Sequence, residues 1–335
     1  MEPPANSLPA PSTESTTETL VESKQPDLRA ALTPSLAYLE RDGRAWMRGE
    51  SPLNQDNGCI SCHVVGFALW SHSAAARHGL SVNTVEIEQL TEQATEFIAR
   101  PGIGRAVTWS QLLLGRSSSS GAIEADWDGM VDGLLASQEA AGQWRARGQF
   151  PTQLRSESES DAVATMWALL ALDSMGDLGD RDADARLRAL SWLRQSVGGV
   201  SSEWLAMRLL IAVRFGDESA AADLLERLIA SQRADGGWGW LLESEGQEST
   251  EQSNAYSTGV ALYSLRRGGL PGARPVVEAA RDYLLETRRD DGIWEVASRL
   301  TSAEPSAAKD YVYEYWGTAW AVIGLSEMLG GGKFD

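Results

Sequence analysis

The stretch Leu228-Ile229-Ala230-Ser231-Gln232-Arg233-Ala234-Asp235-Gly236-Gly237-Trp238 runs as an apolar helical segment, stops at two polar residues, turns on glycine and closes on tryptophan. The same grammar recurs at Leu134-Leu135-Ala136-Ser137-Gln138 through Gly142-Gln143-Trp144. It returns at Tyr283-Leu284-Leu285 through Gly292-Ile293-Trp294, where Glu286-Thr287 replaces Ser-Gln. In each copy the helix ends, glycine turns the chain and tryptophan is expected to pack back on the helix.

A second apolar helix follows each copy, in register at Thr165, Thr258 and Thr318. Leu205 fits between them more loosely, and the register extends upstream to Thr108 and His63. These six positions mark six units of 40 to 60 residues. Each unit pairs an amphipathic helix, such as Ala220 to Ser231 or Val276 to Thr287, with a partner apolar nearly all round. The first type suits an outside; the second must be covered on every side. Open solenoids are also built from stacked helix pairs. Closure into a ring covers the apolar partners better, so the expected fold is all-α, an α/α toroid of about six inner and six outer helices.

The Ser-Gln, Gly and Trp segments resemble the Gln–Trp repeats of squalene–hopene and oxidosqualene cyclases. The alternation of helices is similar to the toroid those enzymes share with protein prenyltransferase β subunits. The resemblance covers Leu28 to Leu329. It implies that Gln138, Trp144, Gln232, Trp238 and Trp294 tie one outer helix to the next unit and do no chemistry. It also points to Ser158-Glu159-Ser160-Asp161-Ala162-Val163 as the counterpart of the cyclase acid motif. There Ser160 replaces the acid and Asp161 alone survives, so cyclase or prenyltransferase turnover is not expected and enzyme activity stays open. The plainer reading is that Glu159 and Asp161 favour a helix N-terminus.

The sharpest local motif is Cys59-Ile60-Ser61-Cys62-His63, which takes both cysteines and one of the three histidines of the chain. The segment resembles the attachment site of c-type cytochromes: two thiols reach the vinyl groups of one haem and the adjacent imidazole binds iron. The expectation is one covalent haem c on Cys59 and Cys62, with His63 as proximal ligand and an electron-transfer or redox-sensing role toward an unidentified redox partner. A disulfide, free thiols, or zinc completed by His72 or His78 remain open. His72 reads as a polar surface residue and His78 as a helix-end residue. A sixth ligand would come from Met47, Met130, Met166, Met175, Met207 or Met328, and Tyr311, Tyr313, Tyr315 and Trp316 would neighbour the haem at the funnel mouth. The alternatives are a haem-free scaffold whose apolar funnel holds an isoprenoid or a protein partner, and a degenerate squalene cyclase-like enzyme lacking its acid.

Residues 1–26, rich in Pro, Ser, Thr and Glu, read as a disordered lead, and residues 27–332 as one toroid domain with Gly330-Gly331-Gly332 ending its last helix. Covalent haem would place the protein in the periplasm or elsewhere outside the cytoplasm; the start of the sequence carries no recognisable signal peptide, which favours the cytoplasm. With 29 Lys and Arg against 47 Asp and Glu the net charge is -18, which repels nucleic acid and anionic lipid. No stretch is apolar enough for a membrane span. Thirteen Trp, against seven Tyr and five Phe, are a composition that the repeat must account for.

Overall fold

A computed structural model describes residues 16–51, 64–98, 106–116, 126–146, 155–196, 198–242, 252–270, 272–297 and 307–330. Among them are twelve α-helices: α1 (Thr16–Met47), α2 (Gly66–Arg77), α3 (Thr84–Ile98), α4 (Ala106–Gly115), α5 (Trp127–Ala136) and α6 (Glu157–Ser174), then α7 (Ala183–Gln195), α8 (Ser202–Arg214), α9 (Glu218–Ala230), α10 (Ala255–Gly268), α11 (Arg274–Thr287) and α12 (Ala307–Ser326). The side chains of α1 are described from Leu28.

The even-numbered helices form the inner ring. α2 packs on α4, α4 on α6, α6 on α8, α8 on α10, α10 on α12, and α12 returns to α2. Each odd-numbered helix packs on the outside of the inner helix that precedes it, and α1 packs on α12. The division follows from sequence: α10 buries every residue from Ala255 to Leu265, whereas α9 buries only Ala221, Leu224 and Leu228, one stripe at helical spacing. The expected all-α toroid of six inner and six outer helices is therefore the fold. Among the described residues no helix is long and apolar enough to cross a membrane.

The repeated segments are joints. Trp238 donates its indole N–H to Leu228 O at 3.0 Å and its backbone N–H to Thr258 Oγ1 at 3.0 Å. Trp144 does the same with Leu134 O and Thr165 Oγ1, and Trp294 with Leu284 O and Thr318 Oγ1. Each tryptophan thus caps its own outer helix while its backbone is held by the inner helix that follows. Thr258 stands in the first turn of α10, but Thr165 and Thr318 lie well inside α6 and α12, so the register marks the joint rather than the helix start.

Glutamine links each joint to the next outer helix. Gln232 Nε2 donates to Gly236 O and to Val276 O of α11, both at 2.8 Å. Gln138 Nε2 bonds Gly142 O and Ala185 O of α7 likewise. Gly236 has φ +86°, and a Cβ there would stand 2.6 Å from Ala279 O, so only glycine lets the two backbones approach. At the third joint, where glutamine is missing, Ser35 Oγ of α1 donates to Gly292 O at 2.6 Å. The N-terminal helix therefore takes the place of the next outer helix and closes the ring. Tyr311 to Asp42 and Tyr315 to Leu39 O fasten the same helix to α12.

The axis of the ring is filled by aromatic side chains. Trp70 and Trp320 lie 4.9 Å apart between centroids, with Trp167 within 5.9 Å of both and Phe67 and Tyr263 against the same group. Most are edge-to-face, the geometry ring quadrupoles favour.

His72 corrects its sequence reading as well. It is 1% exposed on α2, an inner helix with no polar face, and its Nδ1 donates to Ala68 O at 2.7 Å. Burial lowers its pKa to about 4, so it stays neutral. His78 does stand at the end of α2, with Nε2 3.3 Å from Glu327. Glu327 ends the opposite rim together with Arg77, and Arg266 donates to the backbone oxygens of Glu327 and Gly330. The last helix ends at Ser326, and Glu327 to Gly330 form the turn after it.

Candidate functional site

The first turns of the inner helices meet at one mouth of the ring, and the residues that start them build a pocket. Ser156 caps α6 by accepting from Glu159 N, Ser201 caps α8 through Trp204 N, and Asn254 caps α10 through Ser257 N. These caps place Ser160 in the first turn of α6, Glu203 in that of α8 and Tyr256 in that of α10. Arg155 enters immediately before α6. Together with Val107, Ala146, Val163, Ala164 and Trp167 they line a small, partly open cavity of about 20 Å³.

The polar centre of the pocket is an ion pair. Arg155 Nη1 donates to Glu203 Oε2 at 2.6 Å, with 9% and 4% of the two side chains exposed. Arg155 Nε donates to Ser160 Oγ at 3.2 Å. Burial by itself would lower the affinity of Arg155 for its proton, but Glu203, with a smaller contribution from Glu159, outweighs it and the net shift is upward. The Tyr256 hydroxyl donates to Glu203, and burial together with that carboxylate raises its pKa. An ion pair this far from water is costly unless its remaining valences are used, and here a guanidinium and a phenol converge on one carboxylate.

The two acids singled out in the sequence lie beside the pocket but do other work. Asp161 accepts from Ala146 N at 2.9 Å and from Arg145 at 3.0 Å. Glu159 accepts from Ser201 N, Ser201 Oγ and Val200 N, binding the start of α6 to the start of α8. Both are structural, although the helix cap itself is Ser156. Ser160, the residue at the place of the cyclase acid, does line the pocket. Sequence reasoning missed Arg155, Glu203 and Tyr256, which come from three units and share no local spacing. Their one signal was an acid at the start of an inner helix.

Cys59, Cys62 and His63 lie in residues 52–63, outside the described residues. Among the described residues no group of three or more His, Cys, Asp or Glu is placed to hold a metal ion. Met130, Met166 and Met207 are buried in the core. Tyr311 and Tyr315 pack on α1, and Tyr313 and Trp316 pack near Tyr256, as ordinary interhelical contacts.

No family model matches the chain, and no curated protein matches it. Solved structures do share its fold. A possible GH105 family member from Klebsiella pneumoniae aligns with TM-score 0.56 at 13% identity, covering 96% of each chain. Another from Salmonella enterica serovar Paratyphi A aligns with TM-score 0.54 at 13% identity, over 91% of this chain and 94% of that one. An unsaturated glucuronyl hydrolase from Bacillus sp. GL1, responsible for the degradation of glycosaminoglycan, gives TM-score 0.51 at 14% identity, over 80% and 86%. The neighbours correct the expected relationship to squalene cyclases and prenyltransferases, because the Gln–Trp joints mark how toroid units are fastened and not which reaction they host. The same neighbours overturn the haem c cofactor with its electron-transfer or redox-sensing role, and likewise the haem-free isoprenoid or partner scaffold and the degenerate cyclase, while Cys59, Cys62 and His63 themselves lie outside the described residues. Five residues specify a local chemistry too weakly to outweigh a fold that spans the chain.

Proposed function

We propose that the protein is a glycoside hydrolase-type toroid that takes the terminal sugar acid of an oligosaccharide into the pocket between α4, α6, α8 and α10. The observation that carries this reading is Glu203, a carboxylate 4% exposed on the pocket wall, held by Arg155 and Tyr256 beside Trp167. Glycosidic bond hydrolysis turns on carboxyl groups that give and take a proton, and among the described residues Glu203 is the carboxylate lining this pocket. Aromatic walls suit the apolar faces of a sugar ring. The solved toroids that degrade unsaturated glucuronyl glycans support the substrate class.

The test is incubation with a disaccharide carrying a 4,5-unsaturated uronate at its non-reducing end. Turnover removes the conjugated double bond and with it the short-wavelength ultraviolet absorbance of the unsaturated acid. Glu203→Gln, which keeps the side-chain shape, is expected to lower kcat by about 100-fold or more among molecules that remain folded, as checked by circular dichroism. Absence of turnover on unsaturated uronides, or full activity of the variant, would overturn the reading.

A further inference from the structure

We infer that the cavity at the ring mouth is the seat of one water molecule held between Arg155 and Glu203, and that this water is the one hydrolysis consumes. The second half rests on the hydrolase reading and deepens it; the first stands on the cavity itself.

Size decides which molecule enters. A cavity needs about 10–15 Å³ to hold one water, so a cavity of about 20 Å³ takes a water and excludes a sugar ring. The sugar acid therefore rests on the open side of the pocket, with the water beneath it.

Chemistry decides whether the water stays. Among the ion pairs of the described residues, Arg155 and Glu203 are the pair in which both side chains are less than a tenth exposed. Arg155 uses Nε on Ser160 and Nη1 on Glu203, and among the described residues no hydrogen bond reaches its Nη2. A carboxylate has about four acceptor positions. Arg155 and Tyr256 account for two of those on Glu203. Both members of the pair line the cavity, and neither is among the residues whose unpartnered polar atoms are sealed from solvent, so their unused valences are open to a water. A water that accepts from Nη2 and donates to Glu203 satisfies both at once, which a buried pair needs if it is to offset its desolvation. The side chains of Val107, Ala146, Val163 and Ala164 add no polar group to the wall, which leaves the water oriented by Arg155, Glu203 and their neighbours Ser160 and Tyr256.

Held there, the water lies beside the carboxylate that hydrolysis requires. Its oxygen forms a new C–O bond to the sugar and one of its protons passes to Glu203. A proton returned from Glu203 leaves with the departing oxygen as the glycosidic bond breaks, so the carboxylate is regenerated.

The experiment pairs a crystal structure of the wild-type protein, at a resolution that shows ordered water, with kinetics of Ala164→Val on the unsaturated disaccharide. Ala164 is 2% exposed on the cavity wall, and the larger side chain takes the place of the water. Circular dichroism checks the fold, and Val163→Ile fills the same wall should Ala164→Val not fold. The expected density is one water within about 3.2 Å of both Arg155 Nη2 and the Glu203 carboxylate. The expected kinetics are a kcat about 100-fold lower in the variant with an essentially unchanged KM, because the sugar is bound above the cavity. No ordered water in the cavity, or one that touches only one of the two residues, overturns the inference. A bridging water together with wild-type kcat in the folded variant overturns its part in turnover. A bridging water in a protein that turns over no unsaturated uronide overturns the hydrolase reading and leaves the water site standing.

Discussion

A single hydroxyl at each joint decides whether a buried backbone donor is paired. Thr258 Oγ1 accepts from Trp238 N, and both residues are fully buried. Thr258→Val keeps the shape and removes the acceptor, so the variant is expected to lose about 1–3 kcal/mol of unfolding free energy, measured by urea denaturation. His72 gives a second residue-scale outcome. Burial holds its folded pKa near 4, below the ordinary value of 6.5, so the neutral form is favoured in the fold. Its contribution is present above pH 6.5 and is lost as pH falls through 4; on the order of 3 kcal/mol is at stake. The urea midpoint should therefore decline between pH 6.5 and 4, and His72→Gln should flatten that decline. The threonines were legible in the sequence because each answers a Gly–Trp turn 20 to 24 residues upstream, three times over. His72 was not, because the polar Ser71 and Ser73 beside it are buried too.

At the scale of elements, α1 is the helix whose role the sequence left unstated. It packs on α12, α2 and α3 and receives the last joint through Ser35 and Gly292. Gly292 has φ +87°, and a Cβ there would stand 2.7 Å from Ser35 N and 2.8 Å from Pro34. Gly292→Ala is expected to push α1 off the joint, raising amide exchange in α1 and the Arg289–Trp294 turn and leaving α6 and α8 protected. Uniform exchange would show instead that the seam opens only with the whole ring. The outer–inner alternation could be read from periodicity, since a buried stripe and an all-round apolar surface differ in kind. The pocket could not, because Arg155 and Glu203 stand 48 residues apart and meet only through the caps that open α6 and α8.

For the whole molecule, tryptophans serve both the joints and the axis of the ring. Trp320, 0% exposed, touches Phe67, Trp70, Trp167, Tyr256 and Tyr263 at the centre. Trp320→Ala empties the middle of the ring and is expected to cost about 3–5 kcal/mol, with loss of the near-ultraviolet circular dichroism of the aromatic group. The tryptophan excess announced a repeat, but nothing in its spacing told which indoles face the axis, since inner helices are apolar on every side. The Cys59–His63 motif misled for the opposite reason: it is entirely local, and fold-scale geometry has no share in it. The closure of the ring also sets a rule of fit. Six wedges must add up to one full turn, so an angular error at any joint cannot be left at a free end and has to be taken up around the circumference. Each glycine joint is therefore a dimensional tolerance on every other, and the mouth that shapes the pocket keeps its bore only while all of them hold their angle.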